Sequence, residues 1–235
     1  MTTLRPVALI TGGSRGIGRA IAHELASTHD LLIGGSSPES VGGAVDDLRA
    51  AGASAEAFIC DLADEDDTAR AAGQVRRLDV LIHSAGIGTS GEVGETGRDP
   101  WRRIFELNVI AVADLTRLLL PLLRESGRGH VLTINSGSGY KSGPGGGLYS
   151  GSKFALRALT DALREEERGT VRVTSVHPGR VDTDMQVQLQ AEKGRPYVAA
   201  EHLRPASVAA VVRMAVDATP EANVDEVSIR PVFVE

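Results

Sequence analysis

Short runs of apolar residues alternate along the chain with longer stretches in which apolar residues recur every three or four positions. The runs cover residues 6–11, 31–33, 55–60, 80–82, 130–135, 171–176 and 226–229. The first run shows little polar alternation, which is typical of a parallel strand buried on both faces. The longer stretches predict helices around 21–26 and over 41–51, 63–76, 100–124, 148–168 and 205–218. This order favours one α/β domain, residues 1–235, built on a doubly wound parallel sheet.

A glycine-rich turn joins the first predicted strand to the first predicted helix. It contains Gly12, Ser14, Arg15, Gly16, Ile17 and Gly18. Glycines let the backbone approach a pyrophosphate, and the N-terminus of the helix supplies free N–H groups and a positive dipole end. A tight turn without a ligand is the alternative. The position directly after the first strand favours the phosphate site.

The ends of the second and third strands are candidates for binding the adenosine half of a dinucleotide. Such folds place an acidic residue at the end of the second strand to bind the ribose, but this chain has Ser36 and Ser37 there. Arg15 in the glycine turn adds a cation, so a ribose 2′-phosphate suits this end better. A solvated side chain on a turn is the alternative for Arg15. Asp61, which precedes Leu62, either accepts a hydrogen bond from adenine or starts the next helix.

Tyr149 and Lys153 are four residues apart in the predicted helix 148–168. Side chains at this spacing lie on the same face of a helix. A phenol has a pKa of about 10, and a neighbouring ammonium group lowers it. The pair therefore has the chemistry of a general acid/base at working pH. The alternative is an exposed tyrosine and an exposed lysine without a role.

Further polar residues are expected near this pair. The fifth strand delivers Ser136 to its C-terminal end, where ligands bind in open α/β sheets, and Ser138 competes for the same role. Asn108 lies inside the predicted helix 100–124, where it either forms an internal hydrogen bond or serves the site. Residues 184–203 are polar with weak periodicity, and we expect a small substrate lid there.

Composition excludes several functional classes. The net charge of −6 and the lack of a dense basic patch argue against nucleic acid. Cys60 is the single cysteine, and His83 has no partner ligand at a useful spacing, so neither a disulfide nor a metal site is expected. No apolar run reaches roughly 18 residues and no secretory signal pattern is found, so a cytoplasmic protein without membrane contact is expected.

Taken together, the motifs resemble those of the classical short-chain dehydrogenase/reductase family over essentially the whole chain. The matching positions are Thr11, Gly12, Gly16, Ile17, Gly18, Asp61, Asn108, Ser136, Tyr149, Lys153, Pro178, Gly179 and Thr183. The resemblance implies a Rossmann fold and a hydride-transfer enzyme. It also implies that NADP(H) is preferred over NAD(H), because the family's acidic residue is missing at Ser36.

The resemblance implies a role for each catalytic residue. Tyr149 would exchange a proton with a carbonyl or alcohol oxygen, which Ser136 would hold. Lys153 would lower the pKa of Tyr149 and bind the nicotinamide ribose, and Asn108 would keep a water in line with Lys153. Cofactor contacts outside the glycine turn would come from Ser36, Ser37, Asp61, Leu62, Ser84, Ala85, Gly86, Tyr149, Lys153, Pro178, Gly179, Val181 and Thr183.

The implied activity is that of a carbonyl reductase acting on a small-molecule ketone. A dehydrogenase running toward oxidation of a hydroxy acid or another alcohol is the alternative, and a dinucleotide-binding regulator without turnover is a third. Ser84 departs from the family's usual asparagine, which puts a contact between strands in doubt. The family also pairs its two long helices in homodimers or homotetramers, for which Leu115, Leu119 and Leu159 are expected to provide apolar surface.

Overall fold

The computed structural model describes residues 4–192 and 194–232. Its centre is a parallel sheet of seven strands in the order β3-β2-β1-β4-β5-β6-β7. The strands are β1 (Val7–Ile10), β2 (Asp30–Gly35), β3 (Ala55–Ile59), β4 (Val80–His83), β5 (His130–Ile134), β6 (Arg172–Pro178) and β7 (Glu226–Ile229). The strand order reverses between β1 and β4, so the loops after these two strands leave a crevice at the carboxyl edge. The predicted doubly wound Rossmann fold is confirmed.

Helices cover both faces of the sheet. They are α1 (Gly16–Leu25), α2 (Pro38–Ala50), α3 (Glu65–Ala72), α4 (Arg98–Phe105), α5 (Ala111–Glu125), α6 (Gly147–Glu166), α7 (Asp184–Glu192) and α8 (Pro205–Val216). The predicted helix 100–124 corresponds to α4 and α5, which are joined by a π-helical turn, Glu106–Ile110. The helix predicted over 63–76 is shorter than expected and ends before Gly73.

Strand β1 is apolar throughout, and two separate cores cover its two faces. Ala8 and Ile10 of β1 pack into one core with α1, α2 and α8, whereas Leu9 packs into the other with α5. Successive side chains of a strand point to opposite faces, so both sets of positions in a central strand are buried. This arrangement fixes the carboxyl ends of the central strands, from which the loops of the site emerge.

The structure corrects the expectation for the long helices. Leu115 and Leu119 are 0% and 1% exposed and pack in the core beneath α5, because they repeat at the spacing that faces the sheet. Leu159 of α6 is only partly buried. It lines a groove of about 380 Å³ between α5 and α6, together with Val112 and Leu120.

The described residues contain neither a membrane-spanning helix nor a group of side chains suited to a metal ion. None of their helices combines the length and the apolar character needed to cross a membrane. In the same part of the chain, the side chains of His, Cys, Asp and Glu form no group of three or more that could hold a metal ion.

Candidate active site

The glycine turn after β1 packs tightly against the loop after β4. Gly12 and Gly16 have positive φ angles of 63° and 54°, which glycine adopts without strain. A Cβ atom built on Gly12 would lie 2.9 Å from Cα of Ala85, and one on Gly18 would lie 2.2 Å from the carbonyl oxygen of Gly12. Three of the predicted glycine positions therefore accept no side chain in this conformation.

Thr11 joins the two loops. Its hydroxyl oxygen accepts hydrogen bonds from the backbone N–H groups of Ser84 at 3.0 Å and Ala85 at 3.1 Å. Thr11, which is buried, therefore ties the ends of β1 and β4 together through the backbone of residue 84 and not through its side chain. Gly86 follows at the same edge, and a Cβ atom built on it would lie 3.1 Å from Oδ1 of Asn108.

The N-terminus of α1 is available to an anion. The helix begins at Gly16, and neither a side-chain cap nor an acidic residue lies in its first turn, so its first N–H groups and dipole are uncompensated by the chain. Arg15 precedes the helix and is exposed, with no ion pair to any described residue. Ser14 lies beside the end of β2, since its Oγ would be 3.8 Å from a Cβ atom on Gly35.

The serines after β2 differ in what their hydroxyls do. Ser36 and Ser37 are both exposed. Ser37 caps α2, because its Oγ accepts the N–H of Ser40 at 3.2 Å. Ser36 is the closer counterpart of the missing acidic residue, and its side chain carries no charge.

Asp61 does not cap α3. The cap is Asp64, whose Oδ1 accepts the N–H of Asp67 at 2.9 Å. Asp61 is exposed, and its Oδ1 accepts the N–H of Ala63 at 3.1 Å in a turn before the helix. Asp61 therefore forms a local turn before α3 and does not cap the helix. Leu62 is partly buried and packs against the neighbouring core.

The segment after β6 reaches back to the glycine turn. Cγ2 of Thr183 would lie 3.4 Å from a Cβ atom on Gly16. Val181 is buried and forms an isolated parallel bridge with Leu203. At the end of β6, the N–H of Gly179 donates to the carbonyl of Ile229 at 2.7 Å, directly after Pro178. The predicted contact positions from β1, β4 and β6 are thus brought to one edge.

Tyr149 and Lys153 lie in the first two turns of α6, beside the end of β5. Lys153 is 5% exposed, and its Nζ donates to the carbonyl of Ile134 at 3.0 Å. Nζ lies 5.7 Å from the centre of the Tyr149 ring. Burial lowers the pKa of Lys153 to about 8. The helix therefore brings the two side chains together as its spacing predicts.

The expected lowering of the pKa of Tyr149 by Lys153 is not found. Burial raises the pKa of Tyr149, and the side chain of Ser136 lowers it in part. Lys153 does not contribute to this shift, and its ammonium group donates to the carbonyl of Ile134. Tyr149 is consequently a protonated phenol at neutral pH, facing Ser136. Ser138 donates its N–H to Oγ of Ser136 at 3.1 Å.

Asn108 lies in the π-helical turn and is buried. Its Oδ1 accepts the N–H of Ile87, and its Nδ2 donates to the carbonyl of Ile87, both at 2.9 Å. Nδ2 also donates to Oγ of Ser152 at 3.0 Å, and that hydroxyl donates to the carbonyl of Tyr149 at 2.8 Å. The internal hydrogen bonds are thus the reason for an asparagine here, and they tie the loop after β4 to α6.

Asn135 was missed by the sequence reasoning. It is buried at the end of β5, where its Oδ1 accepts the N–H of Ser136 at 2.8 Å. Its Nδ2 donates to the carbonyl of Lys153 at 3.3 Å. The only signal in the sequence is a polar amide that directly follows a buried strand and precedes the candidate serine.

Helix α7 begins the segment where a lid was predicted, and it contacts the loop after β4. A Cβ atom on Gly88 would lie 3.3 Å from Sδ of Met185 and 3.5 Å from both Leu189 and Tyr149. At the end of α7, Oε2 of Glu192 accepts the N–H of Ser90 at 2.9 Å. Burial acts to raise the pKa of Glu192, but hydrogen bonds, led by that from Ser90, lower it overall. The carboxylate therefore ties α7 to the loop after β4.

Known proteins with this arrangement define the class. A family model described as short chain dehydrogenase matches residues 6–194, so the chain belongs to the short-chain dehydrogenase/reductase family and is an oxidoreductase of that family. The chain is 30% identical over 246 residues to "Dehydrogenase/reductase SDR family member 11" of Bos taurus, covering 96% of this chain and 95% of that protein. The family resemblance of the motifs is thereby confirmed.

Solved structures show the same fold with a dinucleotide. An alcohol dehydrogenase from the archaeon Thermococcus sibiricus, complexed with 5-hydroxy-NADP, superposes with a TM-score of 0.88 at 26% identity, covering 98% of both chains. A metagenomic short-chain oxidoreductase in complex with NADP gives a TM-score of 0.83 at 30% identity, covering 97% of this chain and 98% of that one.

Proposed function

We propose that this protein is an NADP(H)-dependent reductase that converts a ketone to a secondary alcohol. The observation that carries the proposal is the convergence of Ser136, Tyr149 and Lys153 at the sheet edge beside the glycine turn. A protonated phenol and a serine hydroxyl face each other there, as a carbonyl oxygen that gains negative charge requires.

The residues present fit a nicotinamide dinucleotide. The glycines let the backbone of the turn fold closely against its neighbours, and the uncapped N-terminus of α1 offers N–H donors to a pyrophosphate. We assign the nicotinamide end to the segment containing Val181 and Thr183, which lies against Gly16. When bound, the dinucleotide supplies the hydride.

The chain itself supplies the proton and the positioning. Tyr149 donates its phenolic proton to the substrate oxygen, while the Ser136 hydroxyl donates a hydrogen bond to the same atom. Lys153, with a pKa of about 8, is mostly protonated at neutral pH. Because it does not contribute to the pKa of Tyr149, we assign its ammonium group to the ribose next to the nicotinamide. Both amide hydrogens of Asn108 are used within the protein, so a relay water would be held by an oxygen of Asn108.

The segment 184–203 is proposed to be the substrate lid. Met185 and Leu189 of α7 present apolar side chains to Gly88 and Tyr149. Apolar walls around one proton donor favour a substrate with a hydrophobic body and a single reacting carbonyl. We also propose that two copies pair through the groove between α5 and α6, as a homodimer or as half of a homotetramer.

The deciding experiment is Tyr149→Phe, assayed with NADPH and a panel of ketones and diketones by the loss of nicotinamide absorbance. A positioned general acid contributes about 10²–10⁴-fold, so kcat should fall at least about a hundredfold while NADPH binding is unchanged. Tyr140→Phe is the matched control, because it removes a phenolic hydroxyl outside the proposed site and keeps the ring that contacts His177. A Tyr149→Phe enzyme that keeps most of the parent rate removes Tyr149 from the mechanism.

The oxidative direction is a second candidate, which the same site supports because proton transfer is reversible. The raised pKa of Tyr149 favours reduction at neutral pH, since the phenol must lose its proton before it accepts one from an alcohol. Oxidation rates should therefore rise with pH. Tight NADPH binding without turnover of any ketone or alcohol would instead identify a dinucleotide-binding regulator.

A further inference from the structure

His177 is a buried histidine that the proposed reaction does not use. It lies in β6, is 0% exposed and contacts the backbone of Ser136. Its Nδ1 is 3.1 Å from the carbonyl oxygen of Ser136, and its Nε2 is 2.7 Å from Oγ of Ser175. The imidazole is thus held between the candidate catalytic serine and a hydroxyl on its own strand.

A chain of buried hydroxyls connects Ser175 to helix α6. Thr160 of α6 donates its hydroxyl proton to the carbonyl of Leu156 at 2.8 Å. Thr133 of β5 lies 3.1 Å from Oγ1 of Thr160 and donates to Oγ of Ser175 at 3.4 Å. Thr133, Thr160 and Ser175 are each at most 1% exposed, so water does not compete for these bonds.

The partner of Nδ1 sets the protonation of His177. The carbonyl oxygen of Ser136 can only accept a hydrogen bond, so Nδ1 carries the imidazole proton and donates it. In the neutral ring Nε2 is then an acceptor, and it takes the hydroxyl proton of Ser175. Burial lowers the pKa of His177, which keeps the ring neutral although Glu226 is 3.6 Å from Nε2.

The neighbours of His177 hold the ring in place. The Tyr140 ring packs against it at a tilt of 42°, with 4.4 Å between the ring centres. The guanidinium group of Arg157 lies 4.4 Å from the centre of the Tyr140 ring. Arg230 donates to the carbonyl of His177. The imidazole therefore has a fixed position from which to hold the Ser136 peptide.

We propose that His177 is a positioning residue that fixes the Ser136 hydroxyl against Tyr149. Asn135 accepts a hydrogen bond from the N–H of Ser136, and His177 donates one to its carbonyl oxygen, so both backbone polar groups of Ser136 are fixed. The hydroxyl network anchors the imidazole to α6, the helix that carries Tyr149. This inference rests on the proposed function, because it requires Ser136 to contact the reacting oxygen.

The test compares two amides at one position. The amide of His177→Asn lies near the place of Nδ1 and keeps a donor for Ser136, whereas that of His177→Gln lies near Nε2 and leaves the Ser136 carbonyl without one. Misplacing a group by about 1 Å can cost ~10²-fold, so we expect His177→Gln to lower kcat about 10- to 100-fold with KM for NADPH unchanged. His177→Asn should retain most of the parent kcat. Equal losses of kcat in both variants would overturn the proposal.

A matched control separates positioning from stability. His130→Gln alters another fully buried histidine, whose Nε2 lies 2.8 Å from Oγ1 of Thr174. His130 starts β5, roughly 20 Å along the strand from Ser136. We expect its melting temperature to fall and its kcat to stay unchanged. If His177→Gln does not fold, Ser175→Ala replaces it: kcat several-fold lower supports the proposal, and an unchanged kcat overturns it.

A double-mutant cycle with Ser136→Ala distinguishes failure of this inference from failure of the proposed function. If Ser136→Ala alone leaves kcat unchanged, Ser136 is not catalytic and the proposed function fails at that residue. If it lowers kcat, His177→Gln should add little in the Ser136→Ala background, because both changes act through one hydroxyl. The full His177→Gln effect in both backgrounds would show that His177 does not act through Ser136.

Discussion

The buried ammonium group of Lys153 lowers the stability of the folded protein. Its pKa falls from the ordinary 10.5 to about 8, a difference equivalent to about 3 kcal/mol at neutral pH. Lys153→Met should therefore inactivate the enzyme yet raise the free energy of unfolding at pH 7. The lost hydrogen bond to Ile134 offsets about 1 kcal/mol of this gain.

The sign of the pH dependence follows from which state binds the proton more tightly. The unfolded lysine does, so the parent protein gains stability as pH rises from about 8 to 10.5. The advantage of Lys153→Met should be largest below pH 8 and vanish near 10.5, as urea unfolding across this range would measure. Lys141→Met, at an exposed lysine, is the control. A difference independent of pH would contradict the assignment.

The proposed preference for NADPH over NADH depends on two single residues, Ser36 and Arg15. An aspartate at position 36 would place an anion beside the 2′-phosphate, and two charges ~4 Å apart repel by about 4 kcal/mol at an effective dielectric of 20. Ser36 avoids this repulsion, and Arg15 offers a guanidinium group suited to phosphate. NADPH should therefore be preferred, and Arg15→Ala should raise KM for NADPH about tenfold while leaving NADH unchanged.

The measurement is kcat/KM for both cofactors with one fixed ketone. Arg19→Ala is the matched control, because Arg19 lies on α1 and pairs with Asp47 away from β2. Ser36→Asp combined with Arg15→Ala should reverse the preference. A parent enzyme that uses NADH as well as NADPH would show that the serines bind the ribose hydroxyls directly.

The carboxylate of Glu192 ties α7 to the loop after β4, so it would help to hold the proposed lid. Glu192 accepts the N–H of Ser90, and its loss should loosen the lid by about the value of one hydrogen bond. We expect Glu192→Ala to raise KM for the ketone about two- to tenfold, with KM for NADPH unchanged. Glu201→Ala is the control, since Glu201 pairs with Arg180 at 4.0 Å and not with this loop. Equal KM values for the ketone in the two variants would show that Glu192 does not hold the lid.

At the scale of the whole molecule, the groove between α5 and α6 is the proposed contact between copies. It is lined by Val112, Leu120 and Leu159, with Arg117, Arg124 and Glu166 also lining it. A symmetric dimer would place one groove against the other, so each change acts twice. Leu159→Asp should sediment as a smaller species and remain folded, whereas Leu115→Asp should fail to fold because Leu115 is fully buried.

Sedimentation velocity and circular dichroism together check this pair of variants. A Leu159→Asp protein that sediments like the parent would place the interface elsewhere. Folded Leu115→Asp would contradict the packing of α5 on the sheet. The pair therefore separates an error in the assembly from an error in the fold.

Features set by local spacing were predictable from the sequence. The period of apolar positions gave the parallel sheet, because strand and helix periods differ and buried parallel strands are apolar on both faces. The proximity of Tyr149 and Lys153 follows from a four-residue separation on a helix. The glycine turn follows from its place between a strand and a helix, and positive φ angles at Gly12 and Gly16 are a backbone requirement.

Contacts between residues far apart in the sequence could be seen only in the tertiary structure. Thr11 meets Ser84, and His177 meets Ser136, across neighbouring strands that only folding brings side by side. The raised pKa of Tyr149 depends on burial, which no spacing specifies. The apolar period of α5 showed that one face is buried but not whether Leu115 faces the sheet or another copy. The packing of the helices on the sheet determines which face Leu115 takes, and it also determines the contacts that position the proposed catalytic groups.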